Sequence, residues 1–153
     1  MLEFPHVLVG AAIATAIPNP AISIPLSLAS HFVTDYFPHW NPHIHTEKKM
    51  HGRITNKTLT FLAVDAGLAL VFGLWLAARS LPNNMQALNI LLCCFASVVP
   101  DVAEIPYYFT KIKITWVEHL LRFQREHQWN VPFFWGLLSQ LLVVLICLQV
   151  IFT

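Results

Sequence analysis

The sequence predicts an all-α membrane protein: one polytopic helix bundle over residues 1–153, with a short N-terminal helix hairpin, three longer transmembrane helices and an interfacial helix. Three observations carry that expectation. The chain is 56% hydrophobic and 11% charged, whereas soluble domains run near a quarter charged. Two apolar runs, and a third that ends in a proline-containing stretch, each offer the roughly 20 residues a helix needs to cross hydrocarbon. Eight of the nine Lys and Arg residues fall in loops that one topology places on a single side.

The elements follow in chain order. Residues 6–17 read as a helix, PNP at 18–20 as a turn, and residues from 21 or 22 to 37 as a second helix with Pro25 near its start. Both are short for a crossing, which predicts a tight hairpin, partly re-entrant. TLTFLAVDAGLALVFGLWLAAR at 58–79 is a span interrupted only by Asp65. QALNILLCCFASVVPDVAEIPYYF at 86–109 is a span whose last turns should be bent or broken by Pro100 and Pro106. ITWVEHLLRFQREHQWN at 114–130 sets Ile114, Val117, Leu120, Leu121 and Phe123 among charges, the pattern of a helix lying on the interface. VPFFWGLLSQLLVVLICLQVIF at 131–152 is the last span, with Pro132 where a first turn tolerates it and Trp129 and Trp135 near an interface.

Charge then sets direction. Lys48, Lys49, Arg53 and Lys57 lie between the second and third segments, Lys111, Lys113, Arg122 and Arg125 between the fourth and fifth, and Arg79 alone on the other face. The expected topology has the N-terminus cytoplasmic and the PNP and LPNN turns and the C-terminus outside. The start MLEFPHVLVG lacks the basic region of a secretory signal and reads as mature protein. A net charge of +1 without a basic stripe excludes nucleic acid as a partner and leaves membrane lipid. Cys93, Cys94 and Cys147 sit in apolar runs without metal-type spacing and read as small buried hydrophobes.

The polar residues inside this apolar chain point to chemistry. An ionisable group in a span costs ~2.5–3.5 kcal/mol on insertion scales, so each needs a reason. Asp35, Asp65 and Asp101 all fall near the cytoplasmic ends of their segments, with Asp65 about 10 Å in at 1.5 Å per residue. His6 opens the first helix at that side. His31 lies four residues before Asp35, on the same helical face. His39 continues the step, but Pro38 argues against a regular helix there. His127 sits on the interfacial segment above. Imidazoles and carboxylates gathered at a partly dry depth suit a divalent cation, zinc first and manganese or iron next. The expected metal ligands are His6, His31, Asp35, Asp65, Asp101 and His127, enough for one ion with an open position or for two ions.

Blander roles compete residue by residue. His31 and Asp35 can form a structural hydrogen-bonded pair, Asp65 can link helices, and Asp101 can cap a short helix with Glu104 completing a capping box. His43, His45, His51 and His119 read as solvated surface. Ser30 and Thr34 flank ligand candidates without forming a nucleophilic triad.

Several of these residues resemble those of a known family, the small integral-membrane metal-dependent hydrolases that include the LexA-regulated inner-membrane hydrolase and are distantly like zinc-dependent phospholipase C. The likeness lies in His6 followed four residues later by Gly10, in SHFVTDYFPHW at 30–40, in Pro100-Asp101 and in His127. It covers the chain loosely from end to end, and SHFxxDxxPH is its most distinctive part. The late motif departs from it: REHQWNVP stands where a His-Arg-Gly followed by Thr-His-Ser is expected. The resemblance implies a helix bundle with a metal site. The expected function is hydrolysis of a phosphoester, in a lipid or other interfacial substrate, by a metal-activated water at the cytoplasmic face of a bacterial inner membrane. Rival expectations are a proton or metal-ion transporter, which needs polar residues through the outer half where little beyond Asn19, Asn83, Asn84, Gln140 and Gln149 is available, and a non-enzymatic membrane scaffold.

Overall fold

A computed structural model describes residues 1–110 and 114–153. Lys111 and Lys113, two of the residues used to assign orientation, lie outside the described residues. The chain is all-helical, with seven helices among the described residues: α1 Glu3–Ala16, α2 Pro20–Asp35, α3 Ile44–His51, α4 Asn56–Arg79, α5 Asn84–Phe109, α6 Thr115–His127 and α7 Phe133–Phe152. Of these, α4, α5 and α7 are long and apolar enough to cross a membrane. Their outer faces carry bare Leu70, Val71, Leu74, Leu141, Leu142 and Ile146. Such continuous apolar surface belongs against lipid.

The bundle is built around its shortest apolar helix. α1 packs on α5, α7, α2 and α4, burying His6, Val7, Leu8, Gly10, Ala11 and Ala14. Gly10 decides how close it comes: a Cβ there would stand 2.5 Å from the Cys93 carbonyl oxygen and 3.0 Å from Ser97 Oγ. Backbone therefore rests on backbone where α1 meets α5. At one end of the bundle, Gln86 Nε2 donates to Ala14 O at 2.9 Å and Ser23 Oγ to Asn89 Oδ1 at 2.9 Å. The opposite end gathers the starts of α1 and α4 and the ends of α2 and α5, and the functional residues lie there.

One feature narrows the sequence expectation of bent or broken turns, and one departs from expectation. Pro100 and Pro106 do not break α5, which runs through both to Phe109. An apolar helix of this kind tolerates a missing N–H where neighbouring helices pack against it, and next to the carbonyl that Pro100 leaves without its donor, the Ser97 carbonyl accepts from His31 Nδ1 at 2.8 Å. Asp101 is consequently an interior residue of α5, not the cap of a new helix. The polar stretch after residue 43 contains a helix, α3, where a loop was expected. Gly52 ends it in the left-handed region at φ 68°, with its N–H on Lys48 O at 2.9 Å. Glu47 then joins α3 to α4, accepting from Thr55 N at 2.9 Å and Thr58 Oγ1 at 2.7 Å.

Candidate metal centre

α1 begins without a capping side chain of its own. Its orphan N–H groups are served by other helices: Leu2 N donates to Gln140 Oε1 at 2.8 Å, Glu3 N to Asp65 Oδ2 at 2.7 Å and Phe4 N to Asp65 Oδ1 at 3.2 Å. Both oxygens of Asp65 are thereby engaged as a cap supplied across the bundle. This fixes the height of α1 and hence of His6.

His6 and His31 stack face to face, with ring centroids 4.2 Å apart. The Thr34 hydroxyl donates to Ser30 O at 2.9 Å, so its oxygen accepts from His6 Nδ1 at 3.1 Å. His31 Nδ1 donates to the Ser97 carbonyl. In both rings the proton is committed to Nδ1, and the Nε2 lone pair faces the carboxylates. His6 Nε2 lies 3.4 Å from Asp35 Oδ1, and His31 Nε2 lies 3.7 Å from Asp35 Oδ2 and 3.5 Å from Asp101 Oδ1. One ligand atom from each of His6, His31 and Asp101 falls within 4.8 Å of the others.

A third histidine joins them. His39 is fully buried, its Nδ1 donates to Phe37 O at 2.8 Å, and its Nε2 has no hydrogen-bond partner and faces Asp35 Oδ1 at 3.8 Å. α2 has already ended at Asp35, so helical spacing does not place it. Backbone pairing does: His39 N donates to Trp129 O and Val131 N to His39 O, each at 3.0 Å. Gly136 lets this strip lie across α7, because a Cβ there would overlap the Trp40 amide nitrogen. Ser139 Oγ and Gln140 Nε2 hold it through Pro38 O and Trp40 O.

α6 roofs the cluster with amides. Gln124 Nε2 donates to Asp101 Oδ1 at 2.9 Å and to His31 Nε2 at 3.1 Å, and Gln128 Nε2 donates to Asp35 Oδ2 at 3.1 Å. His127, between them, turns back on its own helix, with Nδ1 donating to Phe123 O at 2.7 Å and its ring over Phe123. Of the six ligand candidates, the structure thus brings together His6, His31, Asp35 and Asp101. Asp65 is engaged in capping and His127 stands apart. Sequence reasoning noted the 31–35–39 step but left His39 out of the ligand set because of Pro38, and it missed the two glutamines, for which there was no signal beyond their position beside His127.

Asp101 of the cluster, with Gln124 and Gln128 above it, borders a cavity of about 590 Å³ whose wall also includes Glu3, Asp65, Glu104, His45 and Arg125. Arg125 Nη1 donates to His45 Nε2 at 3.0 Å. Among the described residues, no Lys or Arg pairs with Asp35, Asp65, Asp101, Glu3 or Glu104; the Met1 amine, which contacts Asp35 Oδ1 and lies 3.2 Å from His6 Nε2, and the histidines are the basic groups there. So many acids at a low-dielectric depth call for a cation. Three imidazoles that turn Nε2 toward the carboxylates, that of His39 without a hydrogen-bond partner, and two carboxylates form a borderline N/O donor set that fits zinc, manganese or iron.

Fold and site together define an all-helical protein with three potential membrane-crossing helices and a buried histidine–carboxylate cluster at one end. Comparison with protein-family models, curated proteins and solved structures gives no match.

Proposed function

We propose that this protein is a membrane-embedded, metal-dependent hydrolase of a phosphoester, acting at the cytoplasmic face of a bacterial inner membrane. One observation carries the reading: His6, His31 and His39 each commit Nδ1 to a protein oxygen and turn Nε2 toward Asp35. That is the arrangement by which second-shell acceptors fix imidazole ligands for a metal. His6, His31, His39, Asp35 and Asp101 would hold one or two ions. When bound, such an ion supplies Lewis acidity toward a phosphoryl oxygen and lowers the pKa of water at neutral pH.

The chain's own groups do the rest. Thr34, Ser97 and Phe37 fix the three tautomers, and Gln124 and Gln128 orient the carboxylates. Glu104, buried at the cavity wall with Oε1 unpartnered, is placed to hold a proton for a departing oxygen. Arg125 offers positive charge to an anionic group entering the cavity. Orientation rests on charge, since Lys48, at Tyr107 O and Tyr108 O, and Arg125 lie toward the cluster end, whereas Arg79 stacks on Trp75 and Phe152 at the other.

The test is elemental mass spectrometry of the detergent-purified protein beside its His39→Ala and Asp35→Asn variants. One or two equivalents of Zn, Mn or Fe, lost in both variants, is the expected result and leads to a screen of phosphoester lipids. Absence of metal after chelator-free purification and reloading would overturn the proposal and favour a scaffold or proton-path role.

A further inference from the structure

A second hollow of about 320 Å³ lies between α4 and α5, and Glu3, Ala66, Asp101 and Ile105 border both it and the polar cavity. The two spaces therefore meet beside the cluster. The second is apolar throughout the rest of its length. Its α4 wall is made of small residues at helical spacing, Ala66, Ala69 and Gly73, which leave room that larger side chains would fill. Its α5 wall descends through Val102, Val98 and Phe95 to Leu91. Leu70, Leu74, Phe95 and Val102 are exposed along its rim, so it opens sideways toward the surface that lipid would cover.

Its length is informative. From Asp101 to Leu91 along α5, a rise of 1.5 Å per residue gives about 15 Å. That is half of a hydrocarbon core of ~30 Å, the depth of one leaflet. A water-soluble substrate has no use for such an extension, and both volumes lie in the ~300–1,000 Å³ range of ligand sites.

We infer that the substrate is an anionic phosphoester lipid that enters sideways between α4 and α5, one acyl chain in the apolar groove and its phosphate in the polar cavity below Arg125. This rests on the proposed hydrolase reading for the fate of the phosphate. The groove itself stands on its continuity with the cluster and its match to one leaflet. Chain recognition belongs to Ala66, Ala69, Gly73 and the facing α5 residues.

The experiment uses the full chain, stripped of metal, in phosphatidylcholine vesicles doped with phosphatidic acid bearing a mid-chain diazirine, with labelled peptides mapped after photolysis. Label is expected on α4 and α5 along the groove. It should be lost in Ala66→Trp and in Val102→Trp, which block opposite walls, and retained in Leu142→Trp on the outer face of α7. Unchanged elution and far-UV circular dichroism will establish that each variant folds. Label spread over α4, α5 and α7 according to exposure, or insensitive to both blocks, would overturn the inference. So would crosslinks between two copies along the groove with a larger particle size. Because nothing turns over, label without any later metal binding would sink the hydrolase alone, whereas hydrolysis of a short-chain phosphoester without label would sink only the chain groove.

Discussion

Gly10→Ala joins the packing of α1 to the integrity of the proposed metal centre. The new Cβ would stand 2.5 Å from Cys93 O where ordinary contact begins near 3.4 Å, and its other neighbours are Cys93 C at 2.8 Å and Ser97 Oγ at 3.0 Å. Two of these three are backbone atoms that no rotamer change can withdraw, so α1 must recede from α5 by about 0.9 Å. Overpacking of this kind costs ~1–3 kcal/mol. His6 lies one turn earlier on the same face, so its Nε2, 3.4 Å from Asp35 Oδ1, recedes with it. Metal sites hold their distances within about 0.2 Å, so affinity should fall by about tenfold or more, as when a ligand's support is lost. Gly67→Ala is the matched control. Nothing lies within 4 Å of a Cβ there, and Ala is a better helix former than Gly by up to ~1 kcal/mol. Thermal unfolding in detergent should place Gly10→Ala below the wild type and Gly67→Ala level with it or above, and metal titration should weaken only the first. Equal melting and equal metal affinity for Gly10→Ala would refute the close approach of α1 and α5 and its role in placing His6.

Two further substitutions probe the remaining polar links. Asp65→Ala leaves the Glu3 and Phe4 N–H groups without acceptors and should destabilise by ~1–3 kcal/mol in thermal unfolding, whereas Asp65→Asn keeps an acceptor, melts closer to the wild type and retains its metal. Loss of metal in the Asn variant would make Asp65 a ligand after all. Hydrogen bonds from Thr55 N and then Thr58 Oγ1 hold the Glu47 carboxyl below its ordinary value of 4.5. A depressed acid contributes stability above its unfolded pKa and loses it as pH falls through the folded value. The melting difference between wild type and Glu47→Gln should therefore be present above pH 4.5 and vanish in stronger acid; a difference that persists there would show that the carboxylate charge is not what joins α3 to α4.

The three long apolar helices were legible because crossing hydrocarbon would impose one crude demand, a long run of apolar residues, and the ends of α4, α5 and α7 fall within two residues of those runs. α3 was not. IHTEKKMH has no apolar stripe to read, and what ends it and ties it to α4 is a left-handed glycine and a carboxylate that reaches Thr55 and Thr58. Pro100 bears on the same point: the cost of a missing N–H is local and readable, but the contact beside it, His31 Nδ1 on Ser97 O, comes from 66 residues away in sequence.

The same distinction separates the site residues that sequence revealed from those it concealed. His31 and Asp35 share a helical face, and that relation needs nothing beyond α2. Asp65 and His127 have the right chemistry at the right depth, yet their partners are chosen elsewhere: α1 has no cap of its own and takes Asp65, and His127 Nδ1 turns to Phe123 O on its own helix. His39 shows the converse. Pro38 does end the helical logic, as expected, but the strip beyond it is pinned by Trp129, Val131 and the bare surface of Gly136, which return its imidazole to Asp35. A side chain on an irregular strip is positioned by its backbone partners. Gly136→Ala should therefore dislodge His39 while sparing the His6–His31 stack, which depends on Gly10 and the cap on α1.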